Sequence, residues 1–351
     1  MLTAEKSLIY ELIKFCYQYR LPLDFISWHG YSTDPLAESA STVYKKDAIT
    51  LIRDWLSYFH FERGLALIVD EWNYDRGANI IPERGEKSYI AASYIPARLR
   101  SMSEAGIDQQ VYFSLEDFQN NKEGVSRNVG VFSFLADDKQ YKSQAKATYN
   151  IFKMLNKLGS QMTKVPLKDE FVGAIATQSP DTTCVLIFNY IDANTFTNYI
   201  TRNIAYLNAS ERKALLNIVN SQMHKKIASG EIDLGRLPTT QRVRQLLGQA
   251  RQLDIQAKRF SLEPRSLKLE IKGLSGNFIY ERYFVDSSCS TDCEFNPIEK
   301  KEISVSLLYE EELILQPYSV CLVVLKKKPE DTQDKPKLIQ EDTAKDAAKK
   351  E

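Results

Sequence analysis

The stretch LALIVDEWN, from Leu65 to Asn73, decides the fold of this chain. Its first residues are apolar in succession, which is typical of a parallel strand that is covered on both faces. Two carboxylates, an indole ring and an amide follow without a break. Because the active site of a parallel α/β barrel lies at the carboxyl ends of its strands, this stretch predicts a buried strand that ends at a functional edge.

Helical and strand-like patterns alternate on both sides of this stretch. The hydrophobic spacing predicts helices over 4–19, 45–61, 88–105 and 139–158, and apolar runs predict strands over 23–29, 65–70 and 110–114. Such alternation is the pattern of parallel α/β units. We therefore expect a parallel α/β unit over residues 1–160.

The pattern changes after Gly159. Repeated β-rich runs, among them 172–177, 183–190, 266–271, 278–285, 303–308 and 319–326, predict an antiparallel β-sandwich over 161–326. A helical insertion is expected at about 203–260, with Asn208 and Glu211 forming a capping box. The basic residues near its end are interpreted as a solvated helix face. The charged tail, 327–351, is expected to be disordered.

Composition excludes several classes of function. Among 351 residues, Lys and Arg number 46 and so do Asp and Glu, and the resulting zero net charge argues against a nucleic-acid or anionic-membrane partner. No apolar run is long enough for a membrane span. Three histidines give no metal-ligand spacing, and no glycine-rich phosphate loop is present, so no metal and no cofactor are predicted. No signal peptide is visible, and the compartment and oligomeric state are left open.

A second functional signal is Ser27-Trp28-His29-Gly30-Tyr31, which also follows a predicted strand. Since neighbouring parallel strands end at the same edge, His29 and Glu71 are expected to reach one pocket. A carboxylate beside an indole and an amide suits a sugar: the carboxylate attacks the anomeric carbon, the ring stacks, and the amide binds hydroxyls. We expect Glu71 to open into a sugar-sized cleft.

These segments together carry a family resemblance. Asp24–Tyr31 and Ile68–Asn73 resemble the sixth and seventh barrel strands of family 39 glycoside hydrolases, which include β-xylosidases and α-L-iduronidases. Gln110–Asp117 is similar to the eighth strand, Gly130–Gly159 to the closing loop and last helix, and Val172–Leu325 to the C-terminal β-sandwich. The resemblance implies the last three strands of a (β/α)8 barrel, followed by the sandwich with its insertion.

The resemblance also implies a retaining mechanism on a carbohydrate. Glu71 matches the nucleophile, and His29 matches a residue that lines the glycone subsite. Trp28, Tyr31, Trp72, Asn73 and Glu116 are the other residues expected to bind the substrate.

The chain departs from the family in two respects. The acid/base glutamate of the family lies in an Asn-Glu-Pro segment, which is absent here, and three strands are readable where a barrel needs eight. We therefore expect an N-terminally truncated glycosidase that is inactive alone. Two alternatives remain open: a non-catalytic carbohydrate-binding or structural remnant, and a family 51 α-L-arabinofuranosidase.

Overall fold

A computed structural model describes residues 7–40, 45–74, 88–120, 125–127, 129–137 and 140–329. Its helices are α1 (Leu8–Tyr19), α2 (Ala48–Tyr58), α3 (Ser88–Ala105), α4 (Ala147–Leu155), α5 (Thr195–Asn203), α6 (Ala209–Asn220), α7 (Met223–Ser229) and α8 (Gln241–Phe260). Its strands are β1 (Phe25–His29), β2 (Ala66–Trp72), β3 (Gln109–Tyr112), β4 (Phe118–Asn120), β5 (Val125–Arg127), β6 (Phe132–Asp137), β7 (Gln140–Ala145), β8 (Met162–Thr163), β9 (Val172–Gln178), β10 (Thr182–Asn189), β11 (Arg265–Val285), β12 (Glu299–Leu315) and β13 (Val320–Lys327). None of the helices within these ranges combines the length and the apolarity that crossing a bilayer requires.

The first unit is a three-stranded parallel sheet in the order β1-β2-β3. Its helix-covered face packs Ile26 and Leu67 against α1 and α2 in one buried cluster. The opposite face is open, since Phe25 is 51% and Val111 is 55% exposed. The predicted parallel α/β unit is confirmed for these three strands.

The predicted helix over 139–158 is wrong in its first half. Gln140–Ala145 is strand β7, which pairs with β6 in an antiparallel hairpin. Lys146 is extended and 1% exposed, and its Nζ bonds to Asp117 Oδ1 at 2.5 Å. This buried ion pair fixes Lys146 outside the helix, so α4 begins only at Ala147.

The second unit is an antiparallel sheet of six strands in the order β12-β11-β13-β10-β9-β8. The sequence predicts two strands across 266–285, but β11 runs through without a break, with an irregularity at Lys272–Leu274 where Gly273 has a φ of +79°. Leu267 and Leu269 of its first half share a hydrophobic cluster with Ile187 of β10. One continuous sheet therefore curls over its own core.

Helices α3 and α4 lie between the two sheets. Ile95 of α3 and Ile151 of α4 share one buried cluster with Val69 of the parallel sheet and with Leu186 and Leu322 of the antiparallel sheet. This shared core joins the two units.

The helical insertion spans α5 to α8 and lies between β10 and β11. The capping box of Asn208 and Glu211 is confirmed. The insertion begins at Thr195, earlier than predicted. The sequence did not indicate this start because α5 consists mostly of Thr and Asn, which favour helices weakly. Its position is set by burial of Phe196 and Ile200, one turn apart. In the tail that is expected to be disordered, residues 330–351 lie outside the part of the chain that the structure describes.

Candidate active site

A β-bulge in β2 places the central carboxylate. Val69 pairs with Trp28 of β1, but the next pair along joins His29 to Glu71, so Asp70 is an extra residue in the ladder. The same shift occurs against β3, between Val69 and Trp72. Bulges redirect the side chains that follow them, and this one sets Glu71 beside His29 at the carboxyl edge of the parallel sheet.

The carboxylate of Glu71 contacts two polar side chains. The Tyr31 hydroxyl donates to Glu71 Oε1, and His29 Nε2 lies 3.7 Å from Oε2. The side chains of Glu71 and His29 are 29% and 60% exposed. The structure thus brings together Glu71, His29 and Tyr31, and it leaves the carboxylate accessible while a hydroxyl orients it.

The surroundings of Glu71 differ from the expected cleft. A cavity of about 570 Å³ lies where the helical insertion meets both sheets, and Glu71 is not among the residues that line it. Glu71 instead lies at the carboxyl end of the central strand of the three-stranded sheet, with its side chain 29% exposed. In the described part of the chain, no three His, Cys, Asp or Glu side chains are grouped so as to hold a metal ion.

Trp72 and Asn73 do not face a ligand. Trp72 is fully buried, and its Nε1 donates to Gln110 Oε1 at the far side of the bulge. Asn73 is 2% exposed, and its amide donates to the carbonyls of Phe113 and Val129. The prediction that these two side chains bind substrate is wrong in this structure, because the bulge turns the indole into the core and the amide fastens the chain after β3.

Trp28 and Glu116 are intermediate in exposure. Trp28 is half-buried and packs against the clusters on the helix-covered side of the sheet. Glu116 is partly exposed in the segment after β3, where its backbone bridges to Phe132. Its neighbour Asp117 is buried and bonds Lys146 and the Gly130 N–H. Asp117 therefore has a structural role, and the substrate-binding role of Glu116 stays a prediction.

Comparison with known proteins gives likeness of structure only. No protein-family model matches the sequence, and no curated protein matches it. The solved structures that resemble it include a glucosidase from Croceicoccus marinus, with a TM-score of 0.57, 15% identity and coverage of 91% of this chain. A GH39 enzyme from Xanthomonas axonopodis pv. citri (TM-score 0.51, 12% identity) and a monomeric beta-xylosidase from Caulobacter crescentus CB15 (TM-score 0.50, 14% identity) each cover 92% of it.

The chain has a glycosidase-like fold. It spans 57%, 58% and 59% of the lengths of these three structures, in the order given. The mixed architecture of a parallel sheet followed by a large antiparallel sheet is the part of the expected fold that this likeness supports.

In this glycosidase-like fold, the loop that carries Tyr31 is held by a buried ion pair that the sequence analysis missed. Arg98 of α3 has no exposed surface, and it binds the carboxylate of Glu38, which is 6% exposed. The guanidinium also donates to the carbonyls of Gly30 and Pro35 at 3.2 and 3.1 Å. The sequence of α3 contains two arginines, Arg98 and Arg100, and nothing in it shows that Arg98 is buried against a partner 60 residues away.

Gly30 allows this loop to approach the sheet. A Cβ built on Gly30 would lie 2.7 Å from Val69 Cγ1 and 3.2 Å from an Arg98 nitrogen. Its N–H donates to the carbonyl of Glu71 at 2.8 Å. A side chain at this position would push the loop, and Tyr31 with it, away from the carboxylate.

Proposed function

We propose that the chain is a glycoside hydrolase of the family 39 type that acts by retention on O-glycosidic bonds of a xyloside- or uronide-like carbohydrate. One observation carries the proposal: Glu71 is an accessible carboxylate at the carboxyl end of a parallel strand, and the Tyr31 hydroxyl bonds to one of its oxygens. That placement suits the nucleophile of a barrel glycosidase. The glycosidase-like fold supports the same assignment.

In the proposed reaction, the oxygen of Glu71 that is not bonded to Tyr31 attacks the anomeric carbon. The bond to the leaving group breaks, and a glycosyl ester forms on Glu71, which water then hydrolyses. His29, exposed beside the same oxygen, bonds a hydroxyl of the glycone. Tyr31 keeps the carboxylate oriented through both steps.

Protonation of the leaving group requires a second carboxyl about 5 Å from the nucleophile. The sequence contains no Asn-Glu-Pro segment, and among the described residues the side chains that contact Glu71 are a tyrosine and a histidine. General acid catalysis contributes about 10²–10⁴ in rate. We therefore propose that this chain alone has little or no activity on glycosides with poor leaving groups.

The test uses substrates whose leaving group needs no proton. 2,4-Dinitrophenyl 2-deoxy-2-fluoro-β-xyloside, and the corresponding iduronide and arabinofuranoside, are incubated with the protein, and the labelled peptide is identified by mass spectrometry. The expected result is one glycosyl adduct on Glu71, formed with the xyloside or the iduronide. The Glu71→Gln variant gives no adduct, whereas Asp70→Asn, which removes the adjacent exposed carboxylate, is labelled like the parent.

Other outcomes would decide between the alternatives. An adduct on a different residue, or none with any of the three reagents, contradicts the nucleophile assignment and favours a non-catalytic carbohydrate-binding protein. An adduct on Glu71 that forms only with the arabinofuranoside favours the family 51 alternative.

A further inference from the structure

The cavity of about 570 Å³ lies where three parts of the chain meet. Asp34 comes from the loop after β1, Ser101 from α3 and Arg202 from α5 of the insertion, while Phe171 directly precedes β9 and Tyr190 directly follows β10. The volume is within the range of small-molecule sites. Because the lining residues do not include Glu71, this cavity is separate from the candidate active site.

Ser101 gives the cavity an unmatched polar group. The side chain is 3% exposed, and its Oγ has no hydrogen-bond partner among the described residues. A buried hydroxyl without a partner costs about 1–3 kcal/mol. A ligand that bonds this hydroxyl would remove that cost.

Most charged side chains around the cavity are paired within the chain. Arg202 lies 3.5 Å from Asp34 and 3.9 Å from Glu170. Arg100 bonds Glu104 at 2.8 Å. A charged ligand would have to break one of these pairs, so the wall favours a neutral, hydrogen-bonding ligand.

Asp192 adds a carboxyl that can donate as well as accept. Burial, together with the nearby charge of Asp34, raises its pKa to about 7, although the hydrogen bond from the Asn194 N–H opposes this shift. At neutral pH the group is therefore present in both protonation states. A ligand hydroxyl can bond to either state.

An open groove of about 690 Å³ continues from this cavity along α8, and the two share Glu170, Leu253 and Gln256. Four glutamines line the groove: Gln245, Gln249, Gln252 and Gln256. Their spacing of four, three and four residues places them on one face of the helix. The basic side chains of α8 do not line the groove, so this face is uncharged and consists of amides, each of which both donates and accepts hydrogen bonds.

We propose that the cavity and the groove together form a binding site for a neutral oligosaccharide, with one sugar unit in the cavity and the following units along α8. Sugar hydroxyls match the Ser101 hydroxyl, the carboxyls of Asp34 and Asp192, and the amide row. The ring of Phe260, which lines the cavity and packs against Arg265 and Phe171, adds apolar surface to the wall. The site does not require Glu71 to be catalytic.

The test measures binding by isothermal titration calorimetry. The probes are xylotetraose, cellotetraose, mannotetraose and arabinotetraose, with tetragalacturonate as the charged comparison. We expect saturable binding of at least one neutral tetrasaccharide, tighter than that of tetragalacturonate. Ser101→Ala breaks no hydrogen bond within the described structure, so the variant should keep the thermal stability of the parent while its Kd rises about tenfold.

The amide row is tested with a matched pair of double variants. Gln252→Ala/Gln256→Ala removes two groove amides and should also weaken binding about tenfold. Gln178→Ala/Gln241→Ala removes two exposed amides outside the groove and should leave the Kd unchanged. Glu71→Gln should leave it unchanged too, which separates this site from the proposed active site.

Three results would overturn the proposal. They are the absence of saturable binding by any of the four neutral probes, equal effects of the two double variants, and loss of binding in Glu71→Gln. The adduct experiment on Glu71 is independent of all three, so failure of one proposal is distinguishable from failure of the other.

Discussion

Replacing Glu38 by Gln should destabilise the parallel-sheet unit strongly. Glu38 neutralises Arg98, which is fully buried in α3 and cannot lose its proton. The substitution preserves the shape of the side chain but removes its charge. The charged Arg98 guanidinium is then left in the interior with uncharged hydrogen-bond acceptors, among them the carbonyls of Gly30, Asp34 and Pro35.

The expected cost follows from the burial of both partners. Breaking a buried ion pair by removing one charge costs about 3–5 kcal/mol, because the other charge stays desolvated. The glutamine oxygen still accepts one hydrogen bond from Arg98. We therefore expect a loss near the lower limit, about 3 kcal/mol.

Urea unfolding followed by tryptophan fluorescence measures this loss. The three tryptophans, Trp28, Trp55 and Trp72, all lie in the parallel-sheet unit, so the signal reports on the part of the chain that contains the ion pair. Glu310→Gln is the control, since its pair with Lys268 is about half exposed and an exposed pair contributes little to stability. Similar losses in the two variants would refute the reasoning.

Three further predictions concern stability. Asp192 has a folded pKa of about 7, above its ordinary 3.8, so the stability it contributes at low pH is lost as the pH rises from about 4 through 7. Asp192→Asn should therefore remove this fall from a plot of Tm against pH. Parallel plots for the variant and the parent would contradict the prediction. Burial tends to raise the pKa of Asp169, but the hydrogen bonds from Arg265 outweigh it and lower the pKa to about 2. Asp169→Asn should therefore lower the Tm at pH 7 and have little effect on it near pH 2. An equal loss of Tm at both pH values would contradict the prediction. Gly130→Ala should lower the free energy of unfolding by about 1–3 kcal/mol, because its Cβ would lie 2.2 Å from the carbonyl carbon of Glu116. Gly64→Ala is the control, since its Cβ meets nothing within 4 Å, and it should not lower that free energy. Equal stabilities in urea unfolding would contradict the prediction.

The regular part of the fold could be predicted because its residues follow simple periods. The apolar run of β2 and the helical spacing of α1 to α3 depend on local sequence alone. β7 could not be recognised, since the residue that separates it from α4 is Lys146. The buried pair that holds Lys146 outside the helix depends on Asp117, a contact across 29 residues. The start of α5 was missed because its polar sequence is helical only through the burial of Phe196 and Ile200.

The proximity of three candidate residues could be predicted for the same reason. Glu71, His29 and Tyr31 lie at the ends of recognisable strands, and the structure brings them into contact. The orientation of Trp72 and Asn73 depends on the extra residue in β2, which simple alternation of side chains does not anticipate. A bulge is visible only when the pairing of both neighbouring strands is known.

The segment from Tyr31 to Asp34 ties the sheet edge to the insertion. Tyr31 bonds Glu71 at one end, while Thr33 accepts hydrogen bonds from Tyr190 and Asn194, and Asp34 pairs with Arg202. Four residues span at most about 14 Å, so this segment keeps the sheet edge and the start of the insertion close together. The insertion therefore braces the loop: a change that displaces α5 is expected to displace the hydroxyl that orients the carboxylate as well.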